Sequence, residues 1–507
     1  MAALMGSQRR VGALLGYANI LAKNLVNLAY TPMLLSFIGK GDYGVFEMAN
    51  STVYSLTLLS FGFSGAYARF YMQRVAKNDQ TGIRRLNGMY LILYAIVSIA
   101  ALILGAILTV GVDSVFSASL TEGETRLLQS LVAIMSVNIA VTLFSTVFDG
   151  FILVRERFVF QQSRQLATTL ATPFLAYVLL LGGAGAAGAA IAQLAVNTVL
   201  LALNIRFSVG VLGTRFDFSA REPGLFSALL AFSAWIFLNQ ACDIANQTVP
   251  NIVLGAVSGS AAVAVFAIAM KIRALFISLS TTLSGMYIPE VNRIEASSND
   301  NHAHTSVFAR VGHYQSMLLW WVYFGFVVVG RWFISVWAGK DFADAYYLIL
   351  IMTAPLLIPL TQNVGIEISR AKNLHKARSI ACALVACAGI AATLFFAPRF
   401  GYWAAAGAYA CTIFVGNGIW MNWYYQCRLG LDIRVYWARV LPTILCAASS
   451  GVLCLLGTFL MPVSGIGTFL LWGGAYTCLY FILIWHFVLT SSERGRAIRK
   501  VFGNNGK

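Results

Sequence analysis

Long apolar runs recur along almost the whole of this chain, from Val11 to Leu489. A run of roughly 20 mostly apolar residues can cross a bilayer as a helix, and a helix satisfies every backbone hydrogen bond within the run. Charged residues make up only 11% of the 507 residues, whereas soluble domains contain about 25%. The sequence therefore predicts an all-α, polytopic membrane protein with short loops and no soluble catalytic domain.

Fourteen segments are predicted to span the membrane, and the loops between them are too short to form a further domain. They cover residues 11–38, 44–71, 86–112, 127–151, 159–181, 186–206, 225–253, 262–288, 307–330, 342–368, 379–397, 402–427, 437–461 and 466–490.

Basic residues set the predicted orientation. The chain has 35 Lys and Arg residues and a net charge of +16. If the N-terminus is cytoplasmic, 25 of them fall in cytoplasmic segments or at the inner ends of the adjoining spans (Arg206, Arg310 and Arg439), and five fall in outer loops. Short basic loops stay on the cytoplasmic side, so both termini are predicted to be cytoplasmic. This assigns the charge to topology and membrane lipids, and no basic domain indicates nucleic acid. The outer five are Lys40, Arg126, Arg331, Lys340 and Arg399.

Cysteines and sequence motifs give no support for an enzyme. All eight cysteines fall inside predicted spans, and none forms a CxxC pair, so neither a disulfide framework nor a metal site is predicted. The chain has no GxxxxGK[ST] loop for ATP and no GxSxG or HExxH motif. No catalytic residue, metal or cofactor is therefore predicted.

An internal repeat defines the predicted architecture. Over the 49 positions from Asn19 to Tyr67, eleven residues are identical to those 220 positions later. Six spans separate the copies, so both halves begin on the same side of the membrane and form a parallel repeat. The sequence thus predicts an N-lobe at 1–224, a C-lobe at 225–434, and two extra spans with a basic tail at 435–507. Each lobe contains six helices.

Matched polar stripes on spans 1 and 7 are the candidate binding site. Lys23 shares one helix face with Asn19 and Asn27, at spacings of four residues. The equivalent positions of span 7 are Asn239, Asp243 and Gln247, with Asn246 beside them. Intramembrane polar groups usually line pathways, so both stripes are predicted to line a central cavity. The alternative is a buried Lys23–Asp243 pair that holds the lobes together.

Three further ionisable residues within the spans are candidates. Lys271 and Arg273 lie in span 8, on opposed faces of the helix, so only one of them is expected to face the cavity squarely. Both are retained as candidate substrate ligands. Glu47, in span 2, is a candidate for coupling transport to a proton or cation, or for pairing with a nearby base.

Other polar residues of the spans have less specific interpretations. Arg164 is expected to extend its side chain to the inner interface. Asp149 and Glu367 are expected to form ion pairs at the inner ends of their helices. Gln362 and Asn363 are candidates for sugar contact.

The motif Gly41-Asp42-Tyr43-Gly44, followed by Ser60-Phe61-Gly62-Phe63-Ser64, resembles the polysaccharide transporters. So do the fourteen-span plan and the duplication. These transporters are the O-antigen and exopolysaccharide flippases of the multidrug/oligosaccharidyl-lipid/polysaccharide flippase superfamily. The resemblance implies flipping of an undecaprenyl-pyrophosphate-linked oligosaccharide across the bacterial inner membrane through a V-shaped, cationic cavity. Polysaccharide polymerase or assembly proteins would be further partners.

Three alternatives remain open at this stage. Two belong to the same superfamily, namely a lipid II flippase and a multidrug or cation antiporter. The third is a membrane polysaccharide polymerase or ligase. Such an enzyme needs a sizeable outer loop, whereas the longest predicted outer loop, about 111–126, is short.

Overall fold

The computed structural model describes residues 2–218, 224–297, 300–372, 374–491 and 493–495. For residues 2–10, 13, 235–236, 297 and 375–376 it describes the backbone alone. Residues 496–507 of the predicted basic tail and residues 219–223 of the polar stretch at the predicted lobe boundary lie outside the described residues.

Helices account for nearly all of the described structure, and the described residues contain no β-strand. The α-helices are α1 Ala2–Tyr54, α2 Phe63–Ala76, α3 Gln80–Phe116, α4 Glu122–Leu153, α5 Phe158–Leu181, α6 Gly185–Ile205, α7 Leu225–Ser258, α8 Ser260–Gly285, α9 Ile288–Ser297, α10 Asn301–Trp337, α11 Ala343–Thr361, α12 Asn363–Ala371, α13 His375–Phe400, α14 Tyr402–Ile413, α15 Met421–Cys427, α16 Ile433–Leu460 and α17 Ile466–Leu483.

Eleven helices of the described chain are long and apolar enough to cross a membrane, or twelve if the two bent halves of α7 form one span. The protein is therefore a multi-pass, all-α membrane protein, as the composition predicted, but the predicted number of fourteen spans is not confirmed. The first two predicted spans account for the difference. They fall in α1 and α2, where Asn19, Lys23 and Asn27 lower the hydropathy of the first segment.

No loop separates the first two predicted spans. Helix α1 continues through both, broken only at Gly39, whose φ of 73° and ψ of 178° are not helical. The second predicted span is interrupted in turn by a 3-10 segment, Ser55–Ser60, and by Phe61 and Gly62 in left-handed conformations. Breaks of this kind change a helix's direction without needing loop residues.

Side-chain caps determine where several helices begin. Thr121 accepts a hydrogen bond from the backbone of Glu124, whose carboxylate accepts one from the Thr121 backbone, and this capping box begins α4. Asp79, Asp300 and Asp432 cap α3, α10 and α16 in the same position. Each cap satisfies backbone donors that the first helical turn leaves without partners.

The chain divides into two compact units. Unit 1 comprises residues 1–267 and 382–405, and unit 2 comprises residues 268–381 and 406–507. These units are defined by spatial proximity, whereas the lobes at 1–224 and 225–434 are defined by sequence repetition. The lobes and the additional segment 435–507 therefore remain a prediction.

Each unit has its own aromatic core. In unit 1 the rings of Tyr67 and Tyr90 stack at 4.3 Å, and the Tyr67 hydroxyl donates to Asn87 at 2.8 Å. In unit 2 the rings of Phe308 and Tyr436 stack at 4.7 Å. Buried tyrosines keep a hydrogen-bond partner for the hydroxyl while packing a large ring, so these clusters hold the helices at defined separations.

Candidate functional site

Lys23 lines a cavity of about 420 Å³ between α1 and α5 in unit 1. Its side chain is exposed, and Asn19, one turn earlier, is 5% exposed and lines the same cavity. Among the described residues, no carboxylate lies within ion-pair distance of the Lys23 ammonium. An ionisable group within a span must face protein or a water-filled space, and Lys23 faces the cavity.

Helix α5 supplies the facing wall. Gln162 and Gln165 line the cavity opposite Lys23. The Asn19 amide donates to Gln162 Oε1 at 3.4 Å, and the Thr169 hydroxyl donates to Asn19 Oδ1 at 3.3 Å. These bonds hold the α5 face against the polar stripe of α1.

Sequence reasoning overlooked the contribution of α5. The signal was present, because Gln162, Gln165 and Thr169 recur at spacings of three and four residues within predicted span 159–181. That periodicity places them on one helix face. What the sequence could not indicate is that this face lies against Lys23, since that depends on which helices are neighbours.

A small residue allows α1 and α5 to approach below the cavity. Gly12 is buried, and a Cβ at this position would clash with the Cβ of Phe158, at the start of α5. Close helix approach at glycine is common in membrane bundles. The cavity therefore lies toward the end of unit 1 at which α5 begins.

The predicted stripe of α7 is only partly exposed. Asp243 and Gln247 are exposed, whereas Asn239 and Asn246 are half-buried. Helix α7 packs against α1 in unit 1, but the structure shows no Lys23–Asp243 ion pair among the described residues. Asn27, the last member of the predicted α1 stripe, is exposed and does not line the α1–α5 cavity.

Glu47 is buried in the second half of α1, at 6% exposure. Its carboxylate lies near the hydroxyls of Tyr30 and Tyr43, the latter fully buried. Buried ionisable residues within membrane segments often belong to proton relays. The geometry is thus compatible with the role considered for Glu47 in coupling.

Lys271 and Arg273 of unit 2 differ in accessibility. Arg273 is 5% exposed, and its guanidinium lies 4.6 Å from the ring centroid of Tyr409. Its Nε has no hydrogen-bond partner among the described atoms. Lys271 is half-buried. Lys271 is therefore the more accessible of the two, and the Arg273 charge is held over an aromatic face.

Two expectations for the remaining polar residues were wrong. Arg164 does not extend to the interface: its side chain is 8% exposed and pairs with Asp149 of α4 and with the Asn204 amide of α6. Gln362 is 1% exposed and donates to Asn422 at 2.9 Å, so it is not available to a sugar. In both cases a partner on another helix satisfies the polar group.

The other two residues have separate outcomes. The helix-end ion pair expected for Glu367 is confirmed, because Arg370 Nη1 lies 2.7 Å from its Oε1. Asn363 is half-buried and donates to the Ser280 hydroxyl at 2.7 Å.

At the end of unit 1 opposite the cavity, hydrogen bonds join α1, α4 and the connection between α3 and α4 to α7 and α8. Asn251 of α7 donates to the Ser51 hydroxyl at 2.8 Å, and the Ser119 hydroxyl donates to the Gly255 carbonyl at 2.6 Å. The Ser260 hydroxyl donates to Glu124. We call these six residues the closure.

Burial and a neighbouring charge perturb one acid beside the closure. Partial burial, reinforced by the negative charge of Glu124, raises the pKa of Asp42 above its ordinary value. Gly44 also packs directly against the backbone of Ser260, where a Cβ would clash with the carbonyl. The closed end is thus tightly packed, whereas the end with Lys23 contains a cavity.

The described residues contain no group of three or more potential metal ligands.

The fold defines a class, a multi-pass, all-α membrane protein. A family profile described as polysaccharide biosynthesis protein matches residues 37–347. The chain belongs to this family. A comparison with curated protein sequences gives no match.

Solved structures share the fold at low sequence identity. The lipid II flippase MurJ in an inward closed conformation matches with a TM-score of 0.71 and 12% identity, covering 97% of this chain and 99% of that one. An inward-facing multidrug resistance MATE transporter of the MOP superfamily matches at 0.62 and 15% identity, covering 81% and 94%. The Vibrio cholerae MATE transporter VcmN matches at 0.57 and 12% identity, covering 84% and 99%. The chain therefore shares the fold of MurJ and of the MATE transporters.

Proposed function

We propose that this protein is a flippase that moves an undecaprenyl-pyrophosphate-linked oligosaccharide across the bacterial inner membrane. The observation that carries the proposal is Lys23, a cation without a carboxylate partner among the described residues, in a polar cavity beside the first predicted span. A pyrophosphate group crossing the bilayer needs compensating positive charge, because an unpaired charge in an apolar medium is costly. The amides of Asn19, Gln162 and Gln165 can hydrogen-bond sugar hydroxyls.

The two ends of unit 1 support an alternating-access mechanism. The closure bonds α1 and α4 to α7 and α8 at one end, and the Lys23 cavity lies toward the other. We infer that this is an inward-facing state that accepts substrate from the cytoplasmic leaflet. Opening of the closure would then release it on the other side, a cycle common in two-lobed transporters.

The residues of the predicted α7 stripe also take part in the proposed cycle. Asp243 lies on α7, which packs against α1. In the proposed cycle Asp243 neutralises Lys23 in a different state, the one that follows release of the substrate, and the phosphate of the next substrate then replaces it. Asn27, Asn239, Asn246 and Gln247 line the sugar path in this proposal, and Lys271 and Arg273 provide further positive charge.

The test expresses the complete chain in a strain from which its own copy has been removed. Surface polysaccharide and membrane protein level are measured together for Lys23→Ala and for Arg126→Ala, a control cation that is exposed and paired with Glu122. Lys23→Ala should reduce export at least tenfold, with the protein level unchanged, and Arg126→Ala should not. Full export by Lys23→Ala would refute the role of Lys23.

A lipid II flippase is the second candidate, favoured by the fold match to MurJ over nearly the whole of both chains. Both candidates need a cationic cavity, since both substrates carry a pyrophosphate. The two candidate functions are distinguished by reconstituting the purified protein in vesicles with each lipid-linked substrate and measuring translocation. Translocation of lipid II but not of an oligosaccharide-linked lipid would reverse the assignment. For a multidrug antiporter, a cationic drug would be moved instead.

The proposed orientation has both termini in the cytoplasm. It follows from the concentration of basic residues in alternate loops. Reporter fusions after Arg85 and after Arg378 should both indicate a cytoplasmic position, and an outer position at either one would overturn the topology.

A further inference from the structure

A second cavity, of about 680 Å³, lies in unit 2 between α10, α11 and α16. It is formed where α10 ends, α11 begins and α16 ends. The opposite ends of these helices adjoin basic residues of predicted cytoplasmic segments, including Arg370, Arg428 and Arg434. In the predicted orientation the cavity therefore lies at the surface of the outer leaflet, on the side of the membrane opposite the cytoplasm. It shares no lining residue with the Lys23 cavity.

Two of the five predicted outer cations line this one cavity. Arg331 and Lys340 are both exposed, and among the described residues neither forms a salt bridge. Positive charge is disfavoured in outer loops because it opposes insertion. Two such residues at a single cavity therefore need an explanation beyond topology.

The short connection between α10 and α11 positions Lys340. Gly339 has a φ of 110° and a ψ of 160°, a region essentially restricted to glycine. Phe342, 3% exposed, anchors the connection in the protein, and its backbone N–H donates to the Gly339 carbonyl at 3.2 Å. Lys340 is thus held on a fixed turn at the cavity.

The rest of the cavity is largely apolar. Val328 of α10 and Leu455 and Phe459 of α16 form part of its wall. The Trp332 ring also lines it and packs against Phe469 of α17 at 4.9 Å. Tryptophan at a membrane interface commonly sits at head-group depth. One cavity thus combines two cations with an apolar, aromatic wall.

We propose that this cavity binds an anionic phospholipid of the outer leaflet, with the phosphate at Arg331 and Lys340 and an acyl chain along Leu455 and Phe459. Arginine can bind a phosphate through two hydrogen bonds and lysine binds it as a point charge. A free phosphate would use the cations but not the apolar wall. The lipid would link α16, the first helix after the predicted repeat, to α10 and α11, whichever substrate is transported.

The purified full-length protein, stripped of lipid in detergent, provides the test. Native mass spectrometry measures bound phosphatidylglycerol, with phosphatidylethanolamine and inorganic phosphate as comparison ligands. The wild type should prefer phosphatidylglycerol, and Arg331→Gln/Lys340→Gln should weaken that binding by about tenfold, since two basic groups near the phosphate are lost. Arg126→Gln/Arg399→Gln, which removes two other predicted outer cations, should bind as the wild type does.

A second variant tests the apolar part without changing charge. Ala343 lines the cavity and is exposed, so Ala343→Phe should occupy the acyl-chain space and also weaken binding. Equal binding of the two phospholipids, equal loss in the control double variant, or binding of inorganic phosphate as strong as that of the lipid would each overturn the proposal. So would unchanged phosphatidylglycerol binding in Ala343→Phe.

Discussion

Gly39 and Gly259 adopt the same unusual backbone conformation, with φ and ψ of 73° and 178° at Gly39 and of 78° and 179° at Gly259. They are 220 residues apart, which is the offset of the sequence repeat. Each lies between two helical segments, the halves of α1 in one case and α7 and α8 in the other. A duplication predicts this correspondence, because a conformation open essentially to glycine alone retains glycine in both copies.

Replacing either glycine should destabilise the fold through the backbone. Gly39→Ala introduces no contact, since a Cβ there has no heavy atom within 4 Å. We expect a loss of about 1–3 kcal/mol in the free energy of unfolding from strain alone, measured by denaturation in detergent. Gly111→Ala is the matched control, because its Cβ also meets nothing within 4 Å but its φ is not positive. Equal stability of Gly39→Ala and Gly111→Ala would contradict the strain argument.

The proposed cavity mechanism predicts that the charge of Lys23, rather than its bulk, is required. Lys23→Arg should retain measurable export, whereas Lys23→Met, which keeps the apolar stem, should lose at least tenfold. The reason is that a permanent cation compensates the phosphate charge and a thioether cannot. Export is measured by surface polysaccharide at matched protein level. Equal export by the two variants would show that Lys23 acts through packing.

A covalent crosslink across the closure should prevent transport. Glu124 and Ser260 are bonded between α4 and α8, so Glu124→Cys/Ser260→Cys should crosslink under mild oxidation. Export should then stop, and a reductant should restore it. The single variant Glu124→Cys controls for loss of the Thr121–Glu124 capping box, and Ser260→Cys controls for loss of the Ser260 hydroxyl. Export that continues in the crosslinked protein would exclude opening at this end.

Asp149 should stabilise the protein much more than an exposed acid does. Asp149→Asn leaves the Arg164 charge, 8% exposed, without its carboxylate. Removing one partner of a buried pair costs about 3–5 kcal/mol, and we expect the lower end because Asp149 is 33% exposed. The control is Glu122→Gln, whose partner Arg126 is 81% exposed and which should cost less than about 1 kcal/mol. Thermal unfolding in detergent compares the two, and equal losses would contradict the prediction.

Glu47 provides the test for coupling. Glu47→Gln removes a titratable proton while preserving size, so export should become insensitive to external pH, at a rate several-fold below that of the wild type. Glu47→Asp should keep the pH dependence, because it retains a carboxyl group. A normal pH profile for Glu47→Gln would exclude proton coupling through this residue.

Helix-face relationships could be predicted from the sequence, and contacts between helices could not. Asn19 and Lys23 line one cavity because they lie one turn apart on α1, as the spacing indicated. The ion pair of Asp149 with Arg164 joins α4 to α5. The sequence did not indicate that these two residues would pair. The predicted number of fourteen spans is not confirmed, because the first two predicted segments fall in α1 and α2, which are not among the helices of the described chain that are long and apolar enough to cross a membrane.

The sequence by itself determined the all-α membrane class and the helix face shared by Asn19 and Lys23, and it predicted the parallel repeat. These depend on local properties, namely hydropathy over a span and the period of a helix. Only the tertiary structure decided that Gln162 and Gln165 face Lys23, that the closure bonds α1 and α4 to α7 and α8, and that Arg331 and Lys340 share a cavity. These relationships join distant segments, and packing between helices selects them from many arrangements that hydropathy alone would allow.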